Sequence, residues 1–353
     1  MSPMLCGHHK VFLSPRNHDP FLGIGAVDFS GSAVVHLTGG CSALYAAYML
    51  GSRRGRFYDV ITGHALSVPK PFPVHSVTLQ MLGTFILWFG WFGFNPGTAL
   101  LLNDNPYQSS IVSLCSINTV FASAAGCISA LIFKMLLERE VRFDLLAAMN
   151  GTLTGLVSVS IRGRPAGHCT VQYCKDVYSL THKSSFSMQI TAGCATLEPW
   201  AALATGAVAG VIYVGGSKGL VAMKIDDVVH AIPVHMIGGM WGMLAVGLLT
   251  SPERLKQAYG EESAVHPGFF YSFTNGRVDG NLLACQICAI LFVIGWTFAT
   301  MMPFSLFLNF MGWSRTDHIQ ELVGLDLTQD IGGGNAADGN AADGNMDNED
   351  KSA

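Results

Sequence analysis

Three histidines stand among residues that otherwise carry no charge. His36 lies in a stretch without Asp, Glu, Lys or Arg from Phe29 to Ser52; His230 and His235 lie in another, Val228 to Pro252. Imidazole is the side chain that donates, accepts or carries a proton near neutral pH. One intramembrane histidine alone reads as a core hydrogen-bonding group, whereas two on separate apolar segments can meet at a polar seam. His230 and His235 are five residues apart, about 140° around an α-helix, so they cannot both face one lumen. Asp28 opens the first stretch, ahead of Ser30 and Ser32, and Asp226-Asp227 opens the other. Each can accept hydrogen bonds from the orphan amides of a first helical turn, and Asp28 can in addition contact a cation. Thr196-Leu197-Glu198-Pro199 is a further helix start, with proline tolerated in the first turn. The segment Trp88 to Ala99 reads WFGWFGFNPGTA and contains Trp91, Phe94 and Thr98. Its rings read either as packing and lipid-facing groups or as a cation surface, worth roughly 0.5–2 kcal/mol. The Asn95-Pro96-Gly97 break predicts a helix that opens out near a vestibule, because irregular backbone at membrane depth must line protein or water.

These groups need elements to hold them, and the charge pattern predicts which. Of the 353 residues, 50% are hydrophobic and 12% charged, against about a quarter charged in a soluble domain. Further charge-free stretches run from Ser76 to Asn103, Asn105 to Phe133, Pro199 to Ser217 and Gly280 to Ser314. With the two above, they match the roughly 20 residues a helix needs to cross a bilayer. Leu145 to Ile161 is a shorter candidate. The expected fold class is all-α, a polytopic membrane bundle of about seven transmembrane helices. A soluble protein with several buried helices is the alternative, but such helices are usually shorter and carry a polar stripe. The 40 glycines fit the membrane reading. Gly206 with Gly210, and Gly238-Gly239 with Gly242, mark close helix packing in lipid and not a nucleotide loop; no nucleic-acid partner is expected.

Arg53, Arg54 and Arg56 follow the first candidate span at once, and the bias of Lys and Arg toward cytoplasmic loops places that end inside. Alternation then puts Lys134, Arg139 and Arg142, and later Lys218 and Lys224, on the same side, with the tail in the cytoplasm. Arg254, Lys256 and Arg277 run against the bias in a longer outer loop. The net charge of −4 comes mostly from the tail. Cys41, Cys115, Cys127, Cys285 and Cys288 lie in apolar stretches, where a thiol is usually a small hydrophobe, so Cys285-x-x-Cys288 reads as packing. Met1 to Pro20 lacks the apolar core of a secretory signal, so the first span is expected to act as its own insertion signal. Arg315 to Asp330 is expected to form a short amphipathic piece. From Ile331 onward the chain repeats Gly-Asn-Ala-Ala-Asp and is expected to be disordered.

Several of these segments resemble one family. Asp28-Phe29-Ser30-Gly31-Ser32-Ala33-Val34-Val35-His36 is similar to a signature of the ammonium transporter and Rh superfamily. Similar matches are Trp91-Phe92-Gly93-Phe94-Asn95-Pro96-Gly97, Thr191 to Thr196 with Pro199-Trp200, and Asp226-Asp227 followed by Pro233-Val234-His235. Glu321-Leu322-Val323-Gly324-Leu325-Asp326 looks like the family's regulatory tail. The resemblance implies a multi-pass plasma-membrane protein that recruits ammonium at its outer face and conducts it through a hydrophobic pore. In it His36 and His235 are the paired pore histidines and Phe94 one of two outer gate rings. Thr98 supplies a hydroxyl at the recruitment site, Asp28 the carboxylate that shapes it, and Trp91 belongs to the same aromatic path. A bare ion in such a lumen costs tens of kcal/mol, so the cation is stripped of a proton and passes as ammonia. The implied assembly is a homotrimer, or a mixed trimer with full-length subunits; no enzyme activity and no cofactor are expected.

The chain departs from the family in four places. Members have about eleven spans, five paired with five as inverted halves, and the match begins at what would be the fifth span. The expected organisation is a non-homologous segment 1–19, a transporter-like domain 20–314 lacking about four spans, and a tail 315–353. Relatives join the blocks around Ser160 and Thr191 almost directly, so 162–189 is an extra loop or a translated intron. His168, Cys169, Cys174 and His182 within it fit no standard zinc spacing. His230 stands where some relatives carry an acid, and after Asp326 the usual His-Gly-Glu is replaced by Gln329-Asp330-Ile331-Gly332. The alternative functions are a non-transporting fragment or a sensor subunit associating with intact transporters. A haem protein using His36 and His235 as axial ligands is a third, for which no haem spectrum is expected.

Overall fold

The computed structural model describes residues 13, 15, 19–29, 31–72, 76–99, 105–158, 193–276, 278–316 and 321, without the side chains of Thr98 and Asn275. Most of the segment 1–19, the whole stretch 162–189 with its His and Cys residues, and the tail apart from 315, 316 and 321 lie outside the described residues. In chain order the main helices are α1 (Ser32–Leu50), α2 (Val77–Ala99), α3 (Gln108–Glu138), α4 (Leu145–Val157), α5 (Pro199–Ala222), α6 (Ile232–Leu249), α7 (Pro252–Tyr259) and α8 (Asn281–Phe310). Six of them are long and apolar enough to cross a membrane, with α4 a shorter apolar helix and α7 a surface one. Each of the seven charge-free stretches thus corresponds to one helix, with α3 and α5 running on past Phe133 and Ser217. Among the described residues the only β features are two isolated bridges.

Local signals fix the helix ends. Asp144 caps α4 by accepting the Ala147 amide at 2.9 Å, Pro199 stands in the first turn of α5, and Gly51 ends α1 at φ 74°. Packing then follows the small residues. A Cβ on Gly206 would fall on the Ala122 carbonyl oxygen, and one on Gly210 on that of Gly126, so α5 rests backbone to backbone on α3. Gly155 holds α4 against α3 in the same way. Polar side chains tie helices where no water competes: Asn118 donates to the carbonyls of Cys194 and Leu197 at 2.6 and 2.8 Å, and Gln286 to that of Val27 at 2.6 Å. The α2 helix is the exception, with little of its span buried and Leu79, Phe85, Ile86 and Phe89 outward.

Two expectations need correcting. The helix does not open at Asn95-Pro96-Gly97 but continues to Ala99. Buried Asn95 donates to Thr119 of α3 at 2.8 Å, which anchors the final turn, while Pro96 leaves the Phe92 carbonyl without its helical N–H partner. His230 is not inside its span either: α6 begins at Ile232, and His230 precedes it in a left-handed conformation at φ 57°.

The polar loops gather at two opposite ends. At one, Arg53 pairs with Asp226 at 2.8 Å, Lys218 with Glu138 at 3.5 Å, and Lys134 with Asp144. At the other, Arg254 grips both oxygens of Glu198 at 2.9 and 3.2 Å.

Candidate functional site

The first residues of α1 and α6 share one construction. Both start with a π-helical turn, Ser32–Leu37 and Ile232–Ile237, a wide turn often found at functional sites. An aspartate caps each turn. Asp28 accepts the amides of Gly31, Ala33 and Val34 at 3.0–3.1 Å, and Asp227 those of Ala231 and Ile232 at 3.1 and 2.7 Å. Eight residues after each aspartate comes a histidine, His36 or His235, and four residues later a glycine, Gly40 or Gly239. A Cβ on Gly40 would land on the backbone nitrogen of Met236, and one on Gly239 would lie 2.6 Å from the Ser32 carbonyl oxygen. The helices therefore cross in direct backbone contact just beyond both histidines.

That crossing brings the two imidazoles together. Nδ1 of His36 lies 3.1 Å from Nδ1 of His235, with the rings stacked at 5.1 Å and 7° apart. Trp91 of α2 stacks on His36 at 5.7 Å and 10°, and Phe94 lies 6.3 Å from His36 and 5.9 Å from Trp91. His36 is 7% exposed and Trp91 8%. The ring nitrogens His36 Nε2 and Trp91 Nε1 have no hydrogen-bond partner among the described residues. With both imidazoles neutral, one Nδ1 donates and the other accepts. A proton on each Nδ1 would set two N–H groups head to head, so the contact fixes the two rings in different tautomers.

The other expected residues are distributed around this pair. Both oxygens of Asp28 are taken up by amides, which gives it a capping role in shaping the start of α1. Thr98 lies in the last turn of α2, its side chain outside the described residues. His230 stands apart from the pair, with its Nδ1 3.3 Å from Ser217 Oγ and its ring 5.9 Å from Tyr213. Burial works to raise the Asp226 carboxyl, but the guanidinium and amide of Arg53, with Arg56 beside them, hold it below its ordinary value. Glu321 accepts from the Arg315 guanidinium and the Arg54 amide. Its carboxyl is held low by Arg315 first, against burial.

Sequence reasoning found both histidines and both aspartates but not their common spacing. The pattern Asp-x7-His-x3-Gly occurs at Asp28, His36 and Gly40 and again at Asp227, His235 and Gly239, and that repeat was the available signal for two equivalent half-helices. Nothing in the sequence placed Trp91 flat on His36, because the contact joins helices separated by a loop.

A model of the Ammonium Transporter Family matches residues 16–163 and 188–332. The chain belongs to this family. It is 32% identical to putative ammonium transporter 1 member 5 of Arabidopsis thaliana, over 88% of this chain and 55% of that protein. It is also 32% identical to ammonium transporter Amt2 of Archaeoglobus fulgidus, over 87% of this chain and 54% of that one. Among solved structures it is similar to a sensor Amt protein, with a TM-score of 0.61, 29% identity, and 86% and 60% of the two chains covered. Saccharomyces cerevisiae Mep2 has the same fold at TM-score 0.61 and 22% identity, over 84% of this chain and 55% of that one. The chain spans about half the length of the curated relatives it matches. Its all-helical, membrane-type fold is that of the ammonium transporter family, and these curated relatives are named as transporters, not enzymes.

Proposed function

We propose that this chain forms the histidine-bearing half of an ammonium pore. The observation that carries the reading is the His36–His235 contact, capped by Trp91 and Phe94 in an apolar crossing. A cation entering such a place loses its hydration with little in return, whereas ammonia needs only one acceptor and one donor, which the paired imidazoles supply. In this reading Phe94, Trp91, Thr98 and Asp28 hold or shape the outer site where ammonium gives up a proton, and the histidines pass the neutral molecule on.

The same proposal includes the orientation and the assembly. The end of the bundle with Arg53, Arg54, Arg56, Lys134, Lys218 and Lys224 is cytoplasmic, as is the tail, in line with the bias of basic residues; the membrane is the plasma membrane, and subunits assemble as trimers. Completion of the pore wall by about four further spans, and the loop or intron at 162–189, belong to the same reading; sequencing transcripts across both regions tests them. Reconstitution tests the pore itself. Liposomes containing the chain are expected to take up a labelled methylated ammonium faster than empty ones, and His235→Gln to remove that excess. An excess unchanged by the substitution contradicts the role of the pair.

A second reading, a sensor subunit without flux, draws on two observations. One similar solved chain is named a sensor Amt protein, and Glu321 ties the tail to the loop after α1 through Arg54 and Arg315. Reconstituted protein that binds ammonium but shows no uptake would favour it.

A further inference from the structure

One titratable group in the interior has no part in the pore described above. His230 lines a cleft of about 470 Å³ at the Arg53–Asp226 end, together with Ser217, Asp227 and Val229. It is held there with care. Its backbone is left-handed at φ 57°, a conformation that non-glycine residues keep only when their surroundings enforce it. The enforcing contacts are the Asp227 carboxylate, which takes the next two amides at 3.1 and 2.7 Å, and the His230 carbonyl, which accepts the Val234 amide at 3.2 Å. The ring is fixed by Ser217 Oγ at 3.3 Å from Nδ1 and by the Tyr213 ring at 5.9 Å.

Two hydrogen bonds stand behind the ring. The Tyr213 hydroxyl accepts from Asn150 at 3.0 Å, and Ser217 Oγ lies 3.3 Å from His230 Nδ1. When His230 carries its proton on Nδ1, the Ser217 oxygen accepts it. That tautomer leaves Nε2, the ring atom farther from Ser217, with a bare lone pair on a ring that lines the cleft. A neutral imidazole presenting a lone pair accepts a hydrogen bond from a small N–H cation.

The charges around the ring are balanced. Asp226 and Asp227 face it from its own loop and Asp144 from the start of α4; Arg53 and Arg56 face it from the loop after α1 and Lys134 from α3. Three carboxylates stand against three cations, with Arg53 and Arg56 on Asp226 and Lys134 on Asp144. The charge of the imidazole therefore sets the sign of the field in the cleft.

We propose that His230, positioned by Ser217, is the accepting group of a second ammonium site at this mouth of the pore, and that protonation of His230 closes it. The inference rests on the transport reading above. Ammonia arriving past His36 and His235 takes a proton from hydronium in the cleft, giving ammonium and water. The cation then rests on Nε2 through one N–H hydrogen bond and leaves with its four protons. When hydronium protonates the imidazole instead, the lone pair is lost and the ring repels the cation. Burial lowers the His230 imidazole below its ordinary value, with Asp227 opposing, so the ring is neutral near pH 7 and the site closes as the solution becomes acidic.

Tracer exchange of a methylated ammonium tests this, in liposomes carrying the full chain at equal pH on both sides. The quantity read is the ratio of exchange rates at about pH 7.5 and about pH 4.5, a window that extends below ordinary histidine titration because burial lowers this ring. The parent ratio is expected to be roughly tenfold from like-charge repulsion at contact distance. His230→Gln, which does not titrate, and His230→Asp are expected to flatten it, and His230→Lys to exchange slowly at both values. A ratio in His230→Gln equal to the parent's, or fast exchange in His230→Lys, overturns the proposal. Exchange absent from the parent at every pH would instead contradict the transport reading. The site is then decided by ring-nitrogen NMR of the full chain in bilayers. Ammonium chloride, compared with choline chloride, is expected to move the His230 titration to lower pH, since a cation on the neutral ring opposes protonation. An unmoved titration overturns the site.

Discussion

At His36 and His235 two imidazoles share one hydrogen bond at 3.1 Å inside an apolar cage, so either ring is held by the other. His36→Gln keeps a polar group of similar reach but loses the stacking on Trp91 and on His235. It is expected to cut uptake by roughly tenfold or more, in the range seen when one positioned polar group is removed, with little change in membrane insertion. Unchanged uptake in liposomes would contradict the role given to the ring. Gly40 makes the contact possible, since a Cβ there would fall on the Met236 nitrogen. Gly40→Ala is expected to cost at least about 1–3 kcal/mol by overpacking and to separate the rings. Gly215→Ala, where nothing lies within 4 Å, serves as the comparison and is expected to leave the melting temperature in detergent near the parent's. The histidines were legible from their charge-free surroundings and from the family resemblance. Their contact was not, because it depends on where α1 and α6 cross, and a backbone approach at Gly40 has no signature beyond the glycine itself.

The elements that matter most are the two capped π-turns and the ion pair that ties the loop after α1 to the start of α6. Asp227→Ala leaves two amides of the α6 start unpaired and is expected to lower stability by about 0.5–2 kcal/mol, the range for a lost helix cap; a melting temperature equal to the parent's would contradict the capping role. Asp226, next to it, holds Arg53 of the loop after α1. Its carboxyl is depressed below an ordinary 3.8 in the folded protein. Its contribution is therefore fully present above that value and is lost as pH falls through the folded value. Melting measured down to about pH 3 is expected to show that loss, and Arg53→Leu to remove most of its slope; an equal slope in both proteins contradicts the pairing. The helices themselves were readable because runs without charge mark what lipid tolerates. The continuation of α2 through Pro96 was not, since Asn95 finds Thr119 across a helix interface that local sequence does not encode. The place of His230 outside α6 was missed for a related reason, because the absence of charge extends past the helix end.

At the scale of the molecule, the apolar outer face of α2 and the shallow burial of its span suit contact with lipid or further helices. Assembly is the first prediction here. Cross-linking in the membrane is expected to give species up to three copies, and only single copies would contradict the trimer. That the bundle is all-helical and membrane-embedded followed from composition, and its family from five short motifs. The meeting of His36, Trp91, Phe94 and His235, to which the pore is assigned in the proposal above, required the three-dimensional crossing to become visible. Growth on low ammonium of a cell lacking its own ammonium uptake tests the central claim most directly, with this chain and its His36→Ala, His235→Ala double variant expressed at equal membrane levels. The account predicts rescue by the parent and none by the double variant. No rescue by the parent, or equal rescue by both, would contradict it.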